Sequence, residues 1–337
     1  MHKIYVKTTT NSIDDIKNPV SEFLDSQRCD NLFLRPFWLK FIESISHKPV
    51  YFIAFKSDRI CGFMPSFIQR KGPFNQLCSL PRGGGGICLG RDSKQVISLI
   101  LHECDAFCRK NRLASRRFSI TSNAAIGYLG ILSEFGYSLT HVNCRMELPI
   151  LENDDAQMSI CSTSRRNEIR QAMERGCYVE QPSPDDFLKD FYPIYESTIQ
   201  KHGGNTQPME SLKLLISAGG DSVQGLLARV DGRPAGGILL LHNRLAKRSH
   251  YYLGAMDRSI SRHRPIELLL LAALRQAREY GFSIFDMMGT SADFRSGLFH
   301  YKKEWGANAT PNIYMENNSV LFGTLRKCRS LLTKETS

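Results

Sequence analysis

The alternation of apolar and polar positions divides most of the chain into short strands and amphipathic helices. The apolar runs 51–55 and 60–68 flank the polar turn 56–59, a pattern that predicts a β-hairpin. Segment 96–112 carries its apolar residues three and four apart, which indicates a helix. The same patterns predict helices at 36–46, 128–135, 162–176, 187–202, 210–218 and 266–280, and strands at 77–81, 117–121, 137–146, 223–230, 235–242, 250–255 and 283–288.

The two halves of the chain repeat this order of elements. The hairpin turn at 58–62 corresponds to the turn at 231–236, and a helix-to-strand step at 132–138 corresponds to the step at 278–283. Each half runs helix, antiparallel strands, helix and strand. This order predicts an α/β (α+β) fold with a mixed, mostly antiparallel sheet flanked by helices in each half, rather than one doubly wound parallel sheet.

The polar segment 150–162 separates the halves. We therefore predict an N-terminal domain at 1–155 and a C-terminal domain at 156–315 that carries the main site. A basic tail follows at 316–337. Its residues 321–334 mix leucines with four cations, which predicts either a packed terminal helix or peripheral contact with an anionic inner membrane.

Composition narrows the class of protein. An apolar content of 42% and a charged content of 23% in 337 residues are typical of a soluble globular protein. The N-terminus lacks the apolar core of a signal peptide, and the ten cysteines lack paired metal-ligand spacing. We therefore expect a cytoplasmic protein with reduced thiols and no metal.

The formal net charge of +11 favours an anionic partner such as a nucleotide-linked substrate, an acidic membrane surface or nucleic acid. A non-catalytic nucleic-acid-binding module requires aromatic and basic residues interleaved on an exposed sheet. The aromatic residues here recur mostly at helix-core spacing, which disfavours that alternative.

The segment 281–311 contains the candidate catalytic residues. A short apolar strand contains Asp286 and ends at Gly289, and the cluster Tyr301, Lys302 and Trp305 follows it. A strand end followed by a turn rich in donors is where open α/β sheets often bind ligands. Alternatively, Tyr301 and Trp305 are the core face of a short helix whose charged residues are solvated.

Several short motifs occur in a characteristic order: Trp38-Leu39-Lys40, Ser79-Leu80-Pro81, Arg166-Asn167-Glu168-Ile169-Arg170, Tyr251-Tyr252-Leu253-Gly254-Ala255, Tyr301-Lys302 and Trp305-Gly306-Ala307. This order resembles the FemABX-like branch of the GNAT acyltransferase superfamily, whose members carry two GNAT-like domains in tandem. The resemblance implies an N-acyltransferase that moves an aminoacyl or other acyl group to an amine of a cell-envelope precursor, in peptidoglycan or polysaccharide biosynthesis.

The resemblance also implies roles for individual residues. Lys302 is the expected cation that stabilises the oxyanion or the leaving oxygen. The position of Asp286 at a strand end, apart from the resemblance, suggests that it either accepts a proton or only fixes the turn. In the family the substrate's own groups are thought to move the proton, which counts against a catalytic Asp286. The expected substrate-binding residues are Trp38, Lys40, Arg165, Arg166, Arg170, Tyr252 and Tyr301.

The basic helix has two interpretations. Arg166 and Arg170 are four residues apart, so their guanidinium groups project together and suit a diphosphate. Alternatively, Arg165 and its neighbours form a solvated helix that pairs with Glu168 and Glu174.

The resemblance leaves the acyl donor open between an aminoacyl-tRNA and an acyl-CoA, with no tightly bound cofactor. The alternative function is an acyl-CoA-dependent N-acyltransferase that acts on an amino sugar in exopolysaccharide or capsule biosynthesis. The loop 261–265 lacks the glycines that cradle the coenzyme A pyrophosphate in GNAT enzymes, which counts against this alternative. The expected partners are a nucleotide- or lipid-linked precursor and tRNA, and the tandem repeat predicts a monomer.

Overall fold

A computed structural model describes residues 3–45, 47–90, 93–120, 127–201 and 203–319 of the chain. The strands are β1 (Ile4–Thr9), β2 (Lys48–Lys56), β3 (Arg59–Lys71), β4 (Phe74–Cys78), β5 (Cys88–Leu89), β6 (Ser115–Ile120), β7 (Ser138–Pro149), β8 (Cys177–Glu180), β9 (Val223–Val230), β10 (Arg233–Asn243), β11 (Arg248–Met256), β12 (Ile284–Ser291) and β13 (Asn308–Asn318). The helices are α1 (Lys17–Ser26), α2 (Pro36–Ser44), α3 (Ser93–Lys110), α4 (Leu129–Glu134), α5 (Asp154–Ser159), α6 (Thr163–Glu174), α7 (Pro184–Lys201), α8 (Met209–Gly219), α9 (Pro265–Glu279) and α10 (Gly297–Glu304).

The chain forms two compact units. Unit 1 comprises Met1–Val142 together with Asn312–Ser337, and unit 2 comprises Asn143–Pro311. The division differs from the expected boundary at 155/156 because the chain passes from one unit to the other inside strands β7 and β13 rather than in a loop. Most of the expected tail at 316–337, with its membrane contact, lies outside the described residues.

In unit 1 the strand order is β1-β2-β3-β4-β6-β13-β7, and β5 pairs with β3. Most of the pairs are antiparallel, whereas β4 and β6 are parallel. Helix α3 packs its apolar stripe on one face, where Ile97, Ile100 and Leu101 join the core formed with β2 and β6. Helix α1 contacts β3, and Glu43 of α2 accepts a hydrogen bond from Tyr51 of β2 at 2.6 Å.

Unit 2 repeats this arrangement, with the strand order β13-β7-β12-β11-β10-β9-β8. Its parallel pair, β11 with β12, corresponds to the β4–β6 pair of unit 1. Helices α6 and α9 form one core with the sheet, and the stacked rings of Phe187 and Phe191 on α7 cover glycines of β9 and β10. The predicted mixed sheet with flanking helices is therefore confirmed in both halves.

Each unit includes part of a strand that comes from the other half of the sequence. Residues Ile313–Asn318 of β13 pair with β6 in unit 1. Residues Asn143–Pro149 of β7 pair with β12 in unit 2. Each sheet therefore needs one strand from the distant half of the sequence.

None of the described helices combines the length and the apolar character needed to cross a bilayer.

The glycine tract at 83–86 is a close-packed segment in unit 1. A Cβ atom on Gly85 would lie 2.7 Å from Ser119 Cβ and 2.8 Å from the Ser119 carbonyl oxygen. Ser79 Oγ accepts a hydrogen bond from the Ser119 N–H at 3.2 Å. Ser79 and Gly85 therefore lie against β6 where that strand continues beyond the end of β4.

We predict that Gly85→Ala destabilises the protein. The added methyl group has no space at these distances, and overpacking of this kind costs roughly 1–3 kcal/mol. The free energy of unfolding, measured by denaturant titration, should fall by that amount. Gly130→Ala is the matched control, because a Cβ atom on Gly130 meets no atom within 4 Å. Gly130 lies in α4, where alanine should stabilise the helix by up to about 1 kcal/mol. Equal effects of the two substitutions would contradict the packing argument.

Candidate active site

Strands β11 and β12 of unit 2 separate after a short pairing. They pair through Arg248–His250 and Ile284–Asp286, although β11 continues to Met256 and β12 to Ser291. The diverging strands no longer satisfy each other's backbone donors and acceptors, so this region offers polar main-chain groups to a ligand. In unit 1 the corresponding strand β6 is instead covered by Ser79 and Gly85.

Tyr252, an expected substrate-binding residue, lies at this separation. Leu253 is opposite Leu239 and Tyr251 is opposite Leu240, so Tyr252 is the extra residue of a β-bulge in β11. Bulges redirect side chains and are frequent beside active sites. The role of Tyr252 in substrate binding stays a prediction.

A second bulge interrupts β12. Asp286 is opposite Glu147 and Gly289 is opposite Arg145, so β12 contains one residue more than β7 over this stretch. Met288 takes up the irregularity with a φ angle of +61°, which is unusual for a residue with a side chain. Its N–H donates a hydrogen bond of 2.7 Å to Asp286 Oδ1, closing a local turn around the carboxylate.

Lys302 reaches this bulge from α10. Ser296 caps the helix, and the buried Lys302 ammonium donates to the carbonyl oxygens of Met288 at 3.3 Å and Gly289 at 2.9 Å. An ammonium group has three N–H donors, so these two bonds leave one for a ligand. Lys303 beside it is exposed. The interpretation of α10 as a solvated charged surface is therefore wrong for Lys302.

The charge state of Lys302 reflects its surroundings. Burial lowers the pKa of Lys302 to about 8, with a smaller contribution in the same direction from Arg145. The carboxylate of Asp286 and the thiol of Cys144 act in the opposite direction. The side chain is mostly protonated at neutral pH, but it loses its proton far more readily than an ordinary lysine.

Asp286 is fully buried and surrounded by cations and donors. Its Oδ2 accepts a hydrogen bond from the Arg145 guanidinium, lies 3.1 Å from His250 Nδ1 and lies 3.6 Å from Arg248 Nη1. Burial alone would raise the pKa of Asp286, but Arg145, His250 and Arg248 outweigh it and hold the pKa well below the ordinary value. The carboxylate is therefore ionised and fully engaged, which is the turn-fixing arrangement rather than that of a proton acceptor.

Arg165 is buried rather than open to a substrate, which differs from its predicted role. Its guanidinium is buried and donates to Glu168, to Glu267 at 2.7 Å and to Glu304 at 2.8 Å. It also lies 4.4 Å from the centre of the Tyr301 ring. These contacts tie α6 to α9 and α10, so Arg165 is committed to the interior of unit 2.

The other two arginines of α6 differ from each other. Arg166 donates to the carbonyl oxygen of Cys161 at 2.7 Å and to Thr163 Oγ1 at 3.0 Å. Arg170 is exposed and contacts the side-chain oxygen of Asn167 at 3.3 Å. The two guanidinium groups are therefore held by different partners, and their joint binding of a diphosphate stays a prediction.

The two expected site residues of unit 1, Trp38 and Lys40, differ in their exposure. Trp38 has no exposed surface and packs against Phe33 and Phe41, which corrects its assignment to substrate binding. Lys40, two residues later, is partly exposed and pairs with Asp14 at 2.7 Å. The role of Lys40 in substrate binding stays a prediction.

The aromatic residues of α10 follow the core interpretation. Trp305 is fully buried in the core of unit 2, and Tyr301 packs against that core. Burial, together with Glu267 and Tyr251, raises the pKa of Tyr301 well above its ordinary value. Tyr301 is therefore a neutral phenol that supports the helix beside Lys302.

The N-terminus of α9 is a basic surface in unit 2. The segment Arg258–His263 precedes it, and Arg264 adopts the left-handed conformation at φ +51° with no side-chain cap on the helix. Arg175 donates to the Arg262 carbonyl oxygen, and His263 Nδ1 lies 3.0 Å from the Arg175 carbonyl oxygen. The free N–H groups and positive end of a helix favour anions.

The sequence interpretation missed the cations around Asp286. Arg145 follows an alternation with apolar residues in the predicted strand 137–146, and His250 begins the predicted strand 250–255. A charged side chain at an inward position of a strand needs a buried partner of opposite charge, which is the signal that was available. Among the described residues, no group of three His, Cys, Asp or Glu side chains is arranged to hold a metal ion.

The model of the acetyltransferase (GNAT) domain family matches residues 162–303. This region contains α6, the separated strands β11 and β12, and Lys302. No curated protein matches the sequence.

Solved structures are similar over nearly the whole chain. The crystal structure of FemX has a TM-score of 0.71 and 15% identity, covering 93% of this chain and 97% of that one. The C-terminal domain of a putative lysylphosphatidylglycerol synthetase from Agrobacterium fabrum has a TM-score of 0.65 and 10% identity, covering 96% and 98%. A tandem GNAT protein from the clavulanic acid biosynthesis pathway has a TM-score of 0.58 and 11% identity, covering 94% and 98%.

These similarities agree with the repeated topology of the two units. Residues 162–303 thus match the acetyltransferase (GNAT) domain family, which makes the protein an acyltransferase, and the chain shares its fold with FemX and with a tandem GNAT protein.

Proposed function

We propose that this protein transfers an aminoacyl or other acyl group to an amine of a cell-envelope precursor. The observation that carries the proposal is the buried ammonium of Lys302, which two backbone carbonyls hold at the point where β11 and β12 separate. Amide formation requires an activated acyl group, an unprotonated amine and stabilisation of the oxyanion. Unit 2 offers a fixed cation for the third requirement.

Lys302 acts on the charge that develops during the reaction. The amine nitrogen attacks the acyl carbonyl carbon, and the carbonyl oxygen becomes negatively charged in the tetrahedral intermediate. The third N–H of Lys302 stabilises that oxygen, or the oxygen or sulfur that leaves when the intermediate collapses. The leaving atom takes the proton that the attacking nitrogen loses, so the step balances. Because the ammonium is already desolvated and fixed, it does not reorganise during the reaction, and such donors are most effective.

The basic N-terminus of α9 suits the phosphate groups of the acyl donor. Aminoacyl-tRNA and acyl-CoA both carry phosphate groups, and Arg262, His263 and Arg264 line the start of this helix. The resemblance of the short motifs to FemABX-like proteins is what implies an aminoacyl donor and a nucleotide-linked precursor, and the fold shared with FemX agrees with that resemblance. The lysylphosphatidylglycerol synthetase name indicates a lipid product in that protein, which supports a lipid-linked precursor as the other acceptor class.

One observation favours the acyl-CoA alternative. Arg264 adopts the left-handed conformation that glycine provides in coenzyme A-binding loops, so the missing glycines do not prevent this turn. The uncapped helix that follows can then receive a pyrophosphate. An amino sugar of a capsule or exopolysaccharide precursor is the acceptor in this case.

The acyl donor and the amine acceptor are identified by testing each donor class with each acceptor class. Purified protein is incubated with aminoacyl-tRNAs or acyl-CoAs, each with nucleotide-linked peptidoglycan precursors, amino sugar nucleotides or lipid-linked precursors, and products are detected by mass. The proposal expects one donor class to give a product that carries a new amide. Amide formation from none of the combinations would contradict it.

Lys302→Ala should lower kcat and kcat/KM together while substrate affinity changes little. Loss of one preorganised donor at an oxyanion site lowers the rate by roughly a hundred- to a thousand-fold. Steady-state kinetics and donor titration separate the two effects. Lys302→Arg should restore little activity, because a planar guanidinium does not replace a compact ammonium between two carbonyls.

Lys303→Ala is the matched control for that substitution. Lys303 has the same charge and lies on the same helix, but it is exposed where Lys302 is buried. Activity should therefore remain close to that of the wild type. Equal, modest losses in both variants would mean that the pair acts only through a diffuse positive field.

The pH profile provides an independent prediction. Since the charged form of Lys302 is required and its pKa is about 8, kcat should decline as the pH rises above that value. The decline should be absent from the residual activity of Lys302→Arg, because arginine stays charged in this range. A wild-type kcat that keeps rising through and beyond this pKa would count against a catalytic ammonium.

Arg170→Ala should raise KM for a diphosphate-linked acceptor with little change in kcat. Loss of a hydrogen bond to a charged group costs about 1.5–3 kcal/mol, which corresponds to roughly a ten- to hundred-fold change in KM. Arg165→Ala serves as the contrast, because it leaves buried carboxylates without their partner. It should instead lower the free energy of unfolding by about 3–5 kcal/mol. An unchanged KM in Arg170→Ala would remove Arg170 from the acceptor site.

A further inference from the structure

We propose that Asp286 is a positioning residue that fixes the β12 bulge and thereby the location of Lys302. The inference rests on the proposed function of Lys302. In this inference Asp286 does not transfer a proton. Arg145 and His250 orient its carboxylate.

The first step is the hydrogen bond between Asp286 and the backbone. Asp286 Oδ1 accepts the Met288 N–H at 2.7 Å, and Met288 has the left-handed φ angle of +61°. A side chain in this conformation is unfavourable by about 1 kcal/mol or more unless its surroundings enforce it. The carboxylate supplies the enforcing contact, because an extended residue at this position would not turn its N–H back to Asp286.

The second step is the link from the bulge to the ammonium. Lys302 Nζ donates to the carbonyl oxygens of Met288, which lies in the bulge, and of Gly289, which follows it. In a regular strand, successive carbonyl groups point to opposite sides, so one ammonium group would not be expected to reach both. The bulge that Asp286 holds is therefore what lets both carbonyl oxygens bind a single Lys302.

The third step is the orientation of Asp286 itself. Arg145 on β7 and His250 on β11 both contact Oδ2, which leaves Oδ1 directed to the Met288 N–H. Burial outweighs the effect of the Asp286 carboxylate and lowers the pKa of His250, so the imidazole is neutral, and its Nδ1 lies 3.1 Å from Asp286 Oδ2. Three neighbouring strands thus meet at one carboxylate.

The charged and titratable groups that face Lys302 are Asp286 on β12 together with Cys144 and Arg145 on β7. Asp286 is the group among them that both favours the ammonium electrostatically and holds the carbonyls that bind it. Removing its charge should therefore affect the titration of Lys302 as well as its position. A residue with a merely structural role would reduce stability without moving that titration.

The test combines two variants of Asp286 with a readout that does not depend on activity. Asp286→Asn keeps an oxygen for the Met288 N–H and removes the charge, whereas Asp286→Ala removes both. The ¹³Cε resonance of Lys302 in lysine-labelled protein, assigned by its absence in Lys302→Arg, reports the pKa of Lys302 directly. We expect that pKa to fall below the wild-type value of about 8 in both variants.

Kinetics separate position from charge. In Asp286→Ala, kcat should fall on the order of a hundred-fold, since a displacement of about 1 Å at a reacting centre has that effect. KM should change little. In Asp286→Asn, kcat should be lower mainly at high pH, because the alkaline decline moves to lower pH while the bulge is kept. A well-folded Asp286→Asn variant with unchanged Lys302 titration and an unchanged pH profile would overturn the inference.

The wild-type protein provides a check that needs no variant, should Asp286→Ala fail to fold. The Met288 amide should exchange its proton slowly in native-state hydrogen exchange, because it is bonded to a buried carboxylate. Exchange as fast as that of an exposed loop amide would contradict the inference. If instead Lys302→Ala kept full activity while the Lys302 titration still depended on Asp286, the proposed function would fail and the positioning inference would stand.

Discussion

Asp286 is an ionised carboxylate with no exposed surface, and the arrangement of unit 2 around it follows from that constraint. A buried negative charge is tolerated when cations and donors surround it. Arg145, His250 and the Met288 N–H meet this need from three neighbouring strands. The same contacts explain why β12 has a bulge and why its carbonyls bind an ammonium rather than a neighbouring strand.

The two units share a topology but use it differently. In unit 1, Ser79 and Gly85 cover the edge of β6 beyond the end of β4. In unit 2, β11 and β12 separate after three pairs of residues, and Lys302 lies beside the separation. One copy of the repeat therefore has separated strands beside a buried cation, the arrangement on which the proposed function rests. The other copy has filled the equivalent position with its own chain.

Much of the fold could be predicted from the periodicity of the sequence. The hairpins, the long helices and the repeat of the two halves all leave local patterns, and most of them are confirmed. Strands β1, β5, β8 and β13 and helices α1 and α5 were missed, because short or weakly patterned segments resemble loops. The exchange of β7 and β13 left no local signal, since pairing between residues such as Phe118 and Met315 depends on distant segments.

For the candidate site, too, the sequence could predict some residues but not their roles. Lys302 and Asp286 were selected from the sequence, because charged residues beside an apolar strand and glycine are conspicuous. Their roles depend on burial and partners that spacing does not encode. Trp38 and Arg165 illustrate this, because both occur in suggestive motifs and both are buried in the structure, the first among aromatic rings and the second among carboxylates.

The exchange of the last strands has a consequence for how the chain folds as it is synthesised. Unit 1 is complete only when residues near position 318 have been made, because β13 pairs with β6. Until then, β6 presents unpaired N–H and C=O groups, and exposed strand edges of this kind promote association between chains. Contacts that join residues almost 200 positions apart also slow folding, because a long loop must close first. The N-terminal half is therefore not an independent folding domain in the sense of an excisable module. It becomes complete only together with the C-terminal half.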